Sequence, residues 1–140
     1  MINRKDVITV KVPFPNISSD LAIMAHMYTC KSKVGTRHEL IKCQSFKPYM
    51  LIQKDIACYI DEDADLARNP FKHKTRIDCD KVFVTTGVDY DSKLRTASRP
   101  DICDDLATQI DEKINENPPV YYNLNENELV LLNRLITKII

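Results

Sequence analysis

Val7-Ile8-Thr9-Val10-Lys11-Val12-Pro13-Phe14 opens the chain with an alternating pattern, and Leu21-Ala22-Ile23-Met24-Ala25-His26-Met27-Tyr28 follows after a polar hexapeptide. β-Branched residues at alternate positions suit a half-buried pleated strand. The continuous apolar run from Leu21 to Ala25 is expected of a strand buried on both faces. We therefore predict strands over residues 7–14 and 21–28, joined by a turn, with later segments closing a barrel around this pair.

Length and charge bound the class of protein. A chain of 140 residues is long enough for one domain with a real core. Its 20 Lys and Arg balance 20 Asp and Glu, so any nucleic-acid role needs a local basic patch. No apolar stretch is long enough to span a bilayer, and residues 1–6 do not form a signal peptide. We expect a cytoplasmic protein without membrane association.

The cysteines and the acidic run argue against metal binding. The five cysteines are odd in number and show no Cys-x-x-Cys spacing, which indicates reduced thiols and neither a disulfide framework nor a zinc site. The acidic run over residues 61–65 lacks the glycine and the terminal glutamate of an EF-hand. We expect no metal and no cofactor.

The middle of the chain is read as loops and short strands. Residues 49–60 are compatible with one strand, a helical turn followed by a strand, or two short strands. The remaining predictions are a polar loop over 29–38, a third strand over 39–46, a loop over 61–74, a strand over 75–86, a turn over 87–92 and a small edge strand over 93–97.

Two helices are predicted at the end of the chain. Ser98 is a plausible N-cap and Pro100 suits the first turn of a helix over 99–115. Its apolar stripe repeats every fourth residue, at Ile102, Leu106, Ile110 and Ile114. Asn125 and Glu128 have capping-box spacing and open a second helix through Ile140, with Leu129, Leu132 and Ile136 on its buried face. Short strands followed by helices predict a mainly β, α+β protein: a small antiparallel barrel or curved sheet with helices on one side.

Four stretches carry a resemblance to a known family. Residues 5–10 are similar to the "GD-V-x-x-V-x-F" opening of MazF/PemK-type toxins, and residues 21–24 occupy the place of their second strand. Residues 77–83 resemble their "S-x-V-x-L-D-K-I" strand, and residues 93–111 resemble their passage into a helix. The resemblance covers residues 4–115. It implies an SH3-like barrel over 1–117 with C-terminal helices, the tail over 118–140 being an extension.

The family also implies a function and partners. Many members are sequence-specific endoribonucleases that act on single-stranded RNA as homodimers. An antitoxin protein, whose extended segment lies across the dimer, holds them inactive. The chain is thus expected to be a toxin of a toxin–antitoxin system and a metal-independent endoribonuclease. One alternative keeps the fold without the chemistry, as a binding or regulatory module. Another is an unrelated small β-barrel binding module.

The chain departs from the family at the expected catalytic arginine. Ser19-Asp20 stands where family nucleases carry Arg-Pro, and Asp20 would repel a phosphate. RNA cleavage needs a base, an acid and a cation. We assign the cation to Arg37 and acid–base chemistry to His26 or His38. Family nucleases also carry a Thr or Ser at the end of the third strand, and here that place is taken by Ser45 or Cys43, depending on a shift of one or two residues in the alignment. Four lysines in two basic loops are the predicted RNA-binding residues: Lys31, Lys33, Lys72 and Lys74.

Overall fold

The computed structural model describes residues 1–52 and 56–139, in which we find nine strands and three α-helices. The α-helices are α1 (Asp20–Ile23), α2 (Asp104–Glu116) and α3 (Glu126–Leu132). The strands are β1 (Val7–Val10), β2 (His26–Val34), β3 (Arg37–Ser45), β4 (Tyr59–Glu62), β5 (Thr75–Asp78), β6 (Lys81–Thr85), β7 (Val88–Tyr90), β8 (Val120–Asn123) and β9 (Ile136–Lys138). No helix within the described ranges is long and apolar enough to cross a membrane.

Strand β3 is the centre of a seven-stranded sheet. Five strands run antiparallel in the order β1-β2-β3-β5-β4. The edge of β3 opposite β2 is divided between two strands: β6 pairs with the first half of β3, and β5 pairs with its second half. β8 then adds to β6 in parallel, and β7 and β9 form a separate pair. Antiparallel sheet dominates this α+β fold, as predicted, but the predicted closed barrel is wrong: the described strands form an open sheet.

The first thirty residues differ from their prediction. β1 is confirmed in the shorter range Val7–Val10. The predicted strand from Leu21 is wrong, because residues 20–23 form the short helix α1, in which Ala22 is buried while Ile23 is 60% exposed. A short apolar run without alternation does not distinguish a strand from a helix. The second strand begins only at His26.

The predicted polar loop over 29–38 is also wrong, since it forms the hairpin between β2 and β3. Val34 pairs with Arg37, which leaves Gly35 and Thr36 as a two-residue turn. Gly35 has φ +59°, a conformation that two-residue hairpin turns require at their first position and that glycine adopts without strain. The polar side chains of this stretch are therefore ladder residues of a long hairpin.

The segments around β4 and β7 are more regular than predicted. Of the three readings of residues 49–60, the helical turn followed by a strand agrees with a 3₁₀ turn at Pro48–Leu51 and β4, with residues 53–55 outside the described part. The predicted turn over 87–92 contains β7. The predicted edge strand over 93–97 is a 3₁₀ turn at Ser92–Leu94 followed by a single bridge between Ile8 and Arg95.

The two faces of the sheet carry separate cores. On one face α2 covers a cluster that includes Val7, Ile41 and Ile77, and the predicted apolar stripe of α2 is buried there. The N-cap is Cys103, whose Sγ accepts from the Leu106 N–H at 3.4 Å, so the start predicted at Ser98 is wrong. On the other face, Ile8, Val10, Tyr28, Leu40 and Phe83 pack under the C-terminal segment.

That C-terminal segment is not one long helix. Asn125 caps α3 as predicted, by accepting from the Glu128 N–H at 3.1 Å, but α3 ends at Leu132 and the chain continues as β9. Asn133 stops the helix because its side chain forms two hydrogen bonds with the backbone of Lys11, at 2.9 and 2.7 Å. Leu129 and Ile136 are buried against β1 and β2, as predicted, and Leu132 is half-buried. Residue 140 lies outside the described residues.

Two leucines of α3 provide a matched test of this packing. Leu129 is fully buried, whereas Leu131 is 77% exposed. We expect Leu129→Ala to lower the free energy of unfolding by about 2–5 kcal/mol, because it leaves a cavity in the core. Leu131→Ala should change it by less than about 0.5 kcal/mol. Urea denaturation of both variants measures this difference, and equal stabilities would contradict the burial of α3.

Candidate functional site

One face of the sheet changes from apolar to polar along β3. Leu40 belongs to the core beneath the C-terminal segment, but Lys42 and Gln44 follow it on the same face. The neighbouring strands change in the same way, since Tyr28 lies opposite Lys42 and Arg76 opposite Gln44. Because alternate residues of a strand share a face, the polar side chains of several strands meet where the apolar cover ends.

These side chains line a concavity of about 460 Å³, which we call the polar groove. It opens into a recess of about 220 Å³, and the two share five residues, among them Lys42, Asp78 and Lys81. The volume lies within the usual range of ligand sites, about 300–1,000 Å³. The residues that line the polar groove are Phe14, Pro15, Ser19, Asp20, Leu21, His26, Lys42, Gln44, Tyr49, Asp78, Lys81 and Phe83.

A buried ion pair forms the floor of the polar groove. The Lys42 ammonium lies 3.0 Å from Asp78 Oδ2, and the Asp78 side chain is only 2% exposed. Gln44 donates a long hydrogen bond, 3.5 Å, to the other carboxylate oxygen. Burial raises the pKa of Asp78 above its usual value, although the Lys42 ammonium opposes this shift. A buried carboxyl with a raised pKa in a cleft is typical of a functional site.

Beside this pair lies a hydroxyl without a partner. Tyr28 is fully buried, and its hydroxyl oxygen has no hydrogen-bond partner among the described residues. Burial, together with the nearby Asp78 carboxylate, raises the pKa of Tyr28 well above its usual range. The phenol is therefore neutral at physiological pH.

His26 stands at the rim with a defined tautomer. Its Nδ1 lies 2.9 Å from the backbone carbonyl oxygen of Met24. A carbonyl oxygen only accepts, so Nδ1 carries the proton and donates it to this bond. In the neutral ring, Nε2 is left with its lone pair free for a substrate proton.

Arg76 is buried in the recess, where hydrogen bonds and ring contacts hold its guanidinium. It forms two hydrogen bonds with the carboxylate of Asp61, at 2.8 and 2.9 Å, and donates a third to the backbone of Met50 at 3.1 Å. Its guanidinium stacks on Tyr59, 3.6 Å from the ring centroid, and approaches Phe46 at 5.2 Å. Arg76 thus holds β4 and the 3₁₀ turn in place. Lys42 and Lys81 are the lysines among the described residues that line the polar groove.

The predicted catalytic residues are spread over the sheet. His26 lines the polar groove beside Gln44, but Arg37 and His38 lie at the other end of β3. His38 is six residues along the strand from Gln44, or about 20 Å, and Arg37 is one residue further. Arg37 pairs with Glu39 at 3.0 Å. Ser45 points to the opposite face, where it lines a second groove. The structure therefore does not assemble the four residues into one cluster.

The alternative residues and the basic loops are likewise separated. Cys43 is buried, and burial raises the pKa of its thiol, so it is not an exposed nucleophile. Of the predicted RNA-binding lysines, Lys31 pairs with Glu39 at 3.4 Å, and the Lys33 ammonium contacts Met1 Sδ. Lys72 lines the same groove as Ser45, and the Lys74 ammonium lies over the ring of Phe46 at 5.0 Å.

Sequence reasoning missed Lys42, Asp78 and Lys81. The available signal was polar residues at alternate positions of otherwise apolar strands, as at Lys42 and Gln44 or Arg76 and Asp78. Within the described ranges, no group of three or more His, Cys, Asp or Glu side chains is placed to hold a metal ion.

Comparison of the chain with protein-family models, with curated proteins and with solved structures finds no match. The resemblance to MazF/PemK-type toxins therefore stays a prediction.

His38 yields a prediction about stability. It is 2% exposed and packs on Tyr90, and burial lowers its pKa below 6.5. The unfolded chain therefore takes up a proton first as the pH falls, so the stability contributed by neutral His38 is present above pH 6.5 and lost below it. We expect the free energy of unfolding to fall from pH 7.5 to pH 5 more steeply in the wild type than in His38→Gln. The difference is at most about 1.4 kcal/mol per pH unit. Urea denaturation across this range measures it, and parallel pH profiles would show that His38 titrates normally.

Proposed function

We propose that this protein is a metal-independent endoribonuclease of the MazF/PemK type, acting on single-stranded RNA in the polar groove. The proposal rests on one observation: His26, with its proton on Nδ1, and the ammonium groups of Lys42 and Lys81 line the same open groove. These are the groups that cleavage at a ribose 2′-hydroxyl requires.

His26 acts as the general base. Its Nε2 accepts the 2′-hydroxyl proton, and the resulting alkoxide attacks the adjacent phosphorus atom. The Met24 carbonyl then stabilises the imidazolium through the Nδ1–H bond. A positioned base of this kind contributes about 10²–10⁴-fold to rate.

The two lysines stabilise the charge that develops on the phosphorane. Lys42 is held by Asp78, and Lys81 lies 3.1 Å from the Asp80 carboxylate, so both ammonium groups are positioned before substrate binds. They replace the family arginine that is absent at residues 19–20. Preorganised charges in a partly buried groove are more effective than the same charges in water.

The leaving 5′-oxygen takes its proton from water in the open groove. The Asp78 carboxylate stays paired with Lys42 throughout and keeps that ammonium in position. The products are a 2′,3′-cyclic phosphate and a 5′-hydroxyl end.

The rim of the polar groove suits a single strand. Tyr49 is 54% exposed, and Phe14 packs between Phe83 and Tyr122. Unpaired bases stack on exposed aromatic rings, and RNA-binding proteins recognise unpaired segments in this way. As in the family, we propose a cytoplasmic homodimer controlled by an antitoxin protein.

Cleavage of a long, mixed-sequence RNA by pure protein in EDTA tests this function. We expect fragments that begin at a short recurrent sequence and end in a 2′,3′-cyclic phosphate, detected by end-mapping. Absence of cleavage at high protein concentration would overturn the proposal.

Single substitutions locate the site. We expect His26→Ala to lower the cleavage rate by about 10²–10⁴-fold through loss of the base. Arg134→Ala removes an exposed charge elsewhere and serves as the matched control. Arg37→Ala discriminates between the polar groove and the far end of β3: a rate equal to the wild type supports the groove, and a large loss would move the site to Arg37.

A second function is favoured by exposed apolar residues near the polar groove. Leu51 and Ile52, close to Tyr49 in the chain, are 69% and 84% exposed, and Met24, two residues before His26, is 65% exposed. Large exposed apolar side chains mark protein-binding surfaces. In this alternative, the chain is a catalytically inactive binding or regulatory module whose groove takes a peptide. Intact RNA in the EDTA experiment, together with peptide binding that His26→Ala leaves unchanged, would favour it.

A further inference from the structure

A second groove lies on the opposite face of the same sheet. Its floor is formed by Thr9 on β1, Met27 on β2 and Ser45 on β3, and its walls by residues 70–73 and 93–98. Its volume is about 700 Å³, within the range of ligand sites. We call it the basic groove. It is lined by Thr9, Met27, Ser45, Pro70, Lys72, His73, Lys93, Leu94, Arg95, Thr96, Ala97 and Ser98.

The charged residues in the described lining of the basic groove are all basic. Lys72, Lys93 and Arg95 are exposed beside the exposed ring of His73, and no carboxylate is among the described residues that line it. In the described part of the chain, none of these three charged residues forms an ion pair, whereas nearby Arg68 and Arg99 do. In a chain of zero net charge, such segregation creates a local positive potential that attracts anions.

A path of exposed basic side chains leads from the basic groove to Phe46, beside the recess of the polar groove. Lys72 and His73 lead directly to Lys74, whose ammonium lies 5.0 Å from the centre of the Phe46 ring. Phe46 follows Ser45 at the end of β3, and Arg76 approaches the same ring from the recess of the polar groove. The path therefore passes around the end of β3, from one face of the sheet to the other.

We propose that the basic groove binds the phosphodiester backbone of single-stranded RNA that extends beyond the segment held in the polar groove. This inference rests on the proposed function. A nucleic-acid backbone is favoured over an acidic peptide because the path is both cationic and aromatic at its bend. Phosphates pair with the side chains of Lys72, Lys93 and Arg95, and a base stacks near Phe46. The prediction from sequence that Lys72 and Lys74 bind RNA belongs to this surface, and Lys93 and Arg95 extend it.

Binding of 2′-O-methyl oligoribonucleotides tests this inference without cleavage, because the attacking hydroxyl is blocked. Fluorescence anisotropy would compare a 12-nucleotide with a 4-nucleotide strand, from 50 to 300 mM salt. The variant Lys72→Ala/Lys93→Ala/Arg95→Ala removes three phosphate contacts. We expect its log K against log[salt] slope for the 12-mer to be shallower by about 2, and its affinity at 0.1 M salt to be at least about tenfold lower. The 4-mer, held in the polar groove, should bind equally.

The control removes three charges elsewhere, in Lys11→Ala/Arg134→Ala/Lys138→Ala, and should bind the 12-mer within about twofold of the wild type. Equal slopes of log K against log[salt] for the wild type and the Lys72→Ala/Lys93→Ala/Arg95→Ala variant would overturn the inference. Polyglutamate binding to the basic groove without binding of the 12-mer would overturn it in favour of a protein partner.

Acetylation footprinting of the wild type supplies a second measurement that needs no variant to fold. The 12-mer should protect Lys72 and Lys93, but not Lys138, from acetylation, and unprotected Lys72 and Lys93 would overturn the inference. The outcomes also separate the two proposals. Groove-dependent binding without cleavage of ordinary RNA would refute the nuclease alone. Cleavage with binding unaffected in the groove variant would refute this inference alone.

Discussion

The pairing of β3 on both of its edges is the constraint on which the sheet depends. β2 occupies one edge along most of its length, while β6 and β5 divide the other edge between them. Every other strand of the large sheet is attached through one of these three neighbours. Because both faces of β3 are in use, its alternation fixes what each face carries: Leu40, Lys42 and Gln44 on one, Ile41 and Cys43 on the other. The candidate site arises at the point where the first of these series leaves the apolar cover and becomes polar.

That position explains how a buried ion pair is tolerated. The desolvation of two charges is costly, and their mutual attraction offsets it only where geometry is good and further hydrogen bonds are made. The pair of Lys42 and Asp78 has a short contact and a weak third partner in Gln44. It lies beside the Tyr28 hydroxyl, which has no hydrogen-bond partner in the described part of the chain. A core selected for stability alone would place apolar residues here. Incomplete satisfaction of several buried polar groups, next to an open groove, is the physical reason for treating this corner as functional.

Local patterns predicted the elements that local patterns control. The strand at residues 7–10 and the helical stripe of Leu106, Ile110 and Ile114 were predicted correctly. The stripe reports one buried helix face, whereas β1 buries Val7 in one core and Ile8 and Val10 in the other. The apolar run from Leu21 was wrongly predicted as a strand, because tertiary packing decides whether such a run forms a strand or a helix. Strand β8 was missed because it pairs with β6, about 40 residues earlier in the chain. For the site, His26 was found as an isolated histidine. Lys42 and Asp78 were not found, since their proximity depends on the register between β3 and β5, which the sequence of either strand alone does not contain.

The packing of α3 and β9 against β1 and β2 has a consequence for the nascent chain. Ile8 and Val10 are synthesised well before Leu129 and Ile136, which cover them in the folded protein. Until α3 and β9 have been made, this part of the sheet face stays exposed to water and to other hydrophobic surfaces. Contacts so distant in sequence close late and at high entropic cost, so this face is the one most exposed to chaperones and to aggregation during synthesis. The α2 face lacks this delay, since its partners are complete once residue 116 has been made. Maturation of the two cores is thus separated in time, and the face that bears the polar groove is the later one.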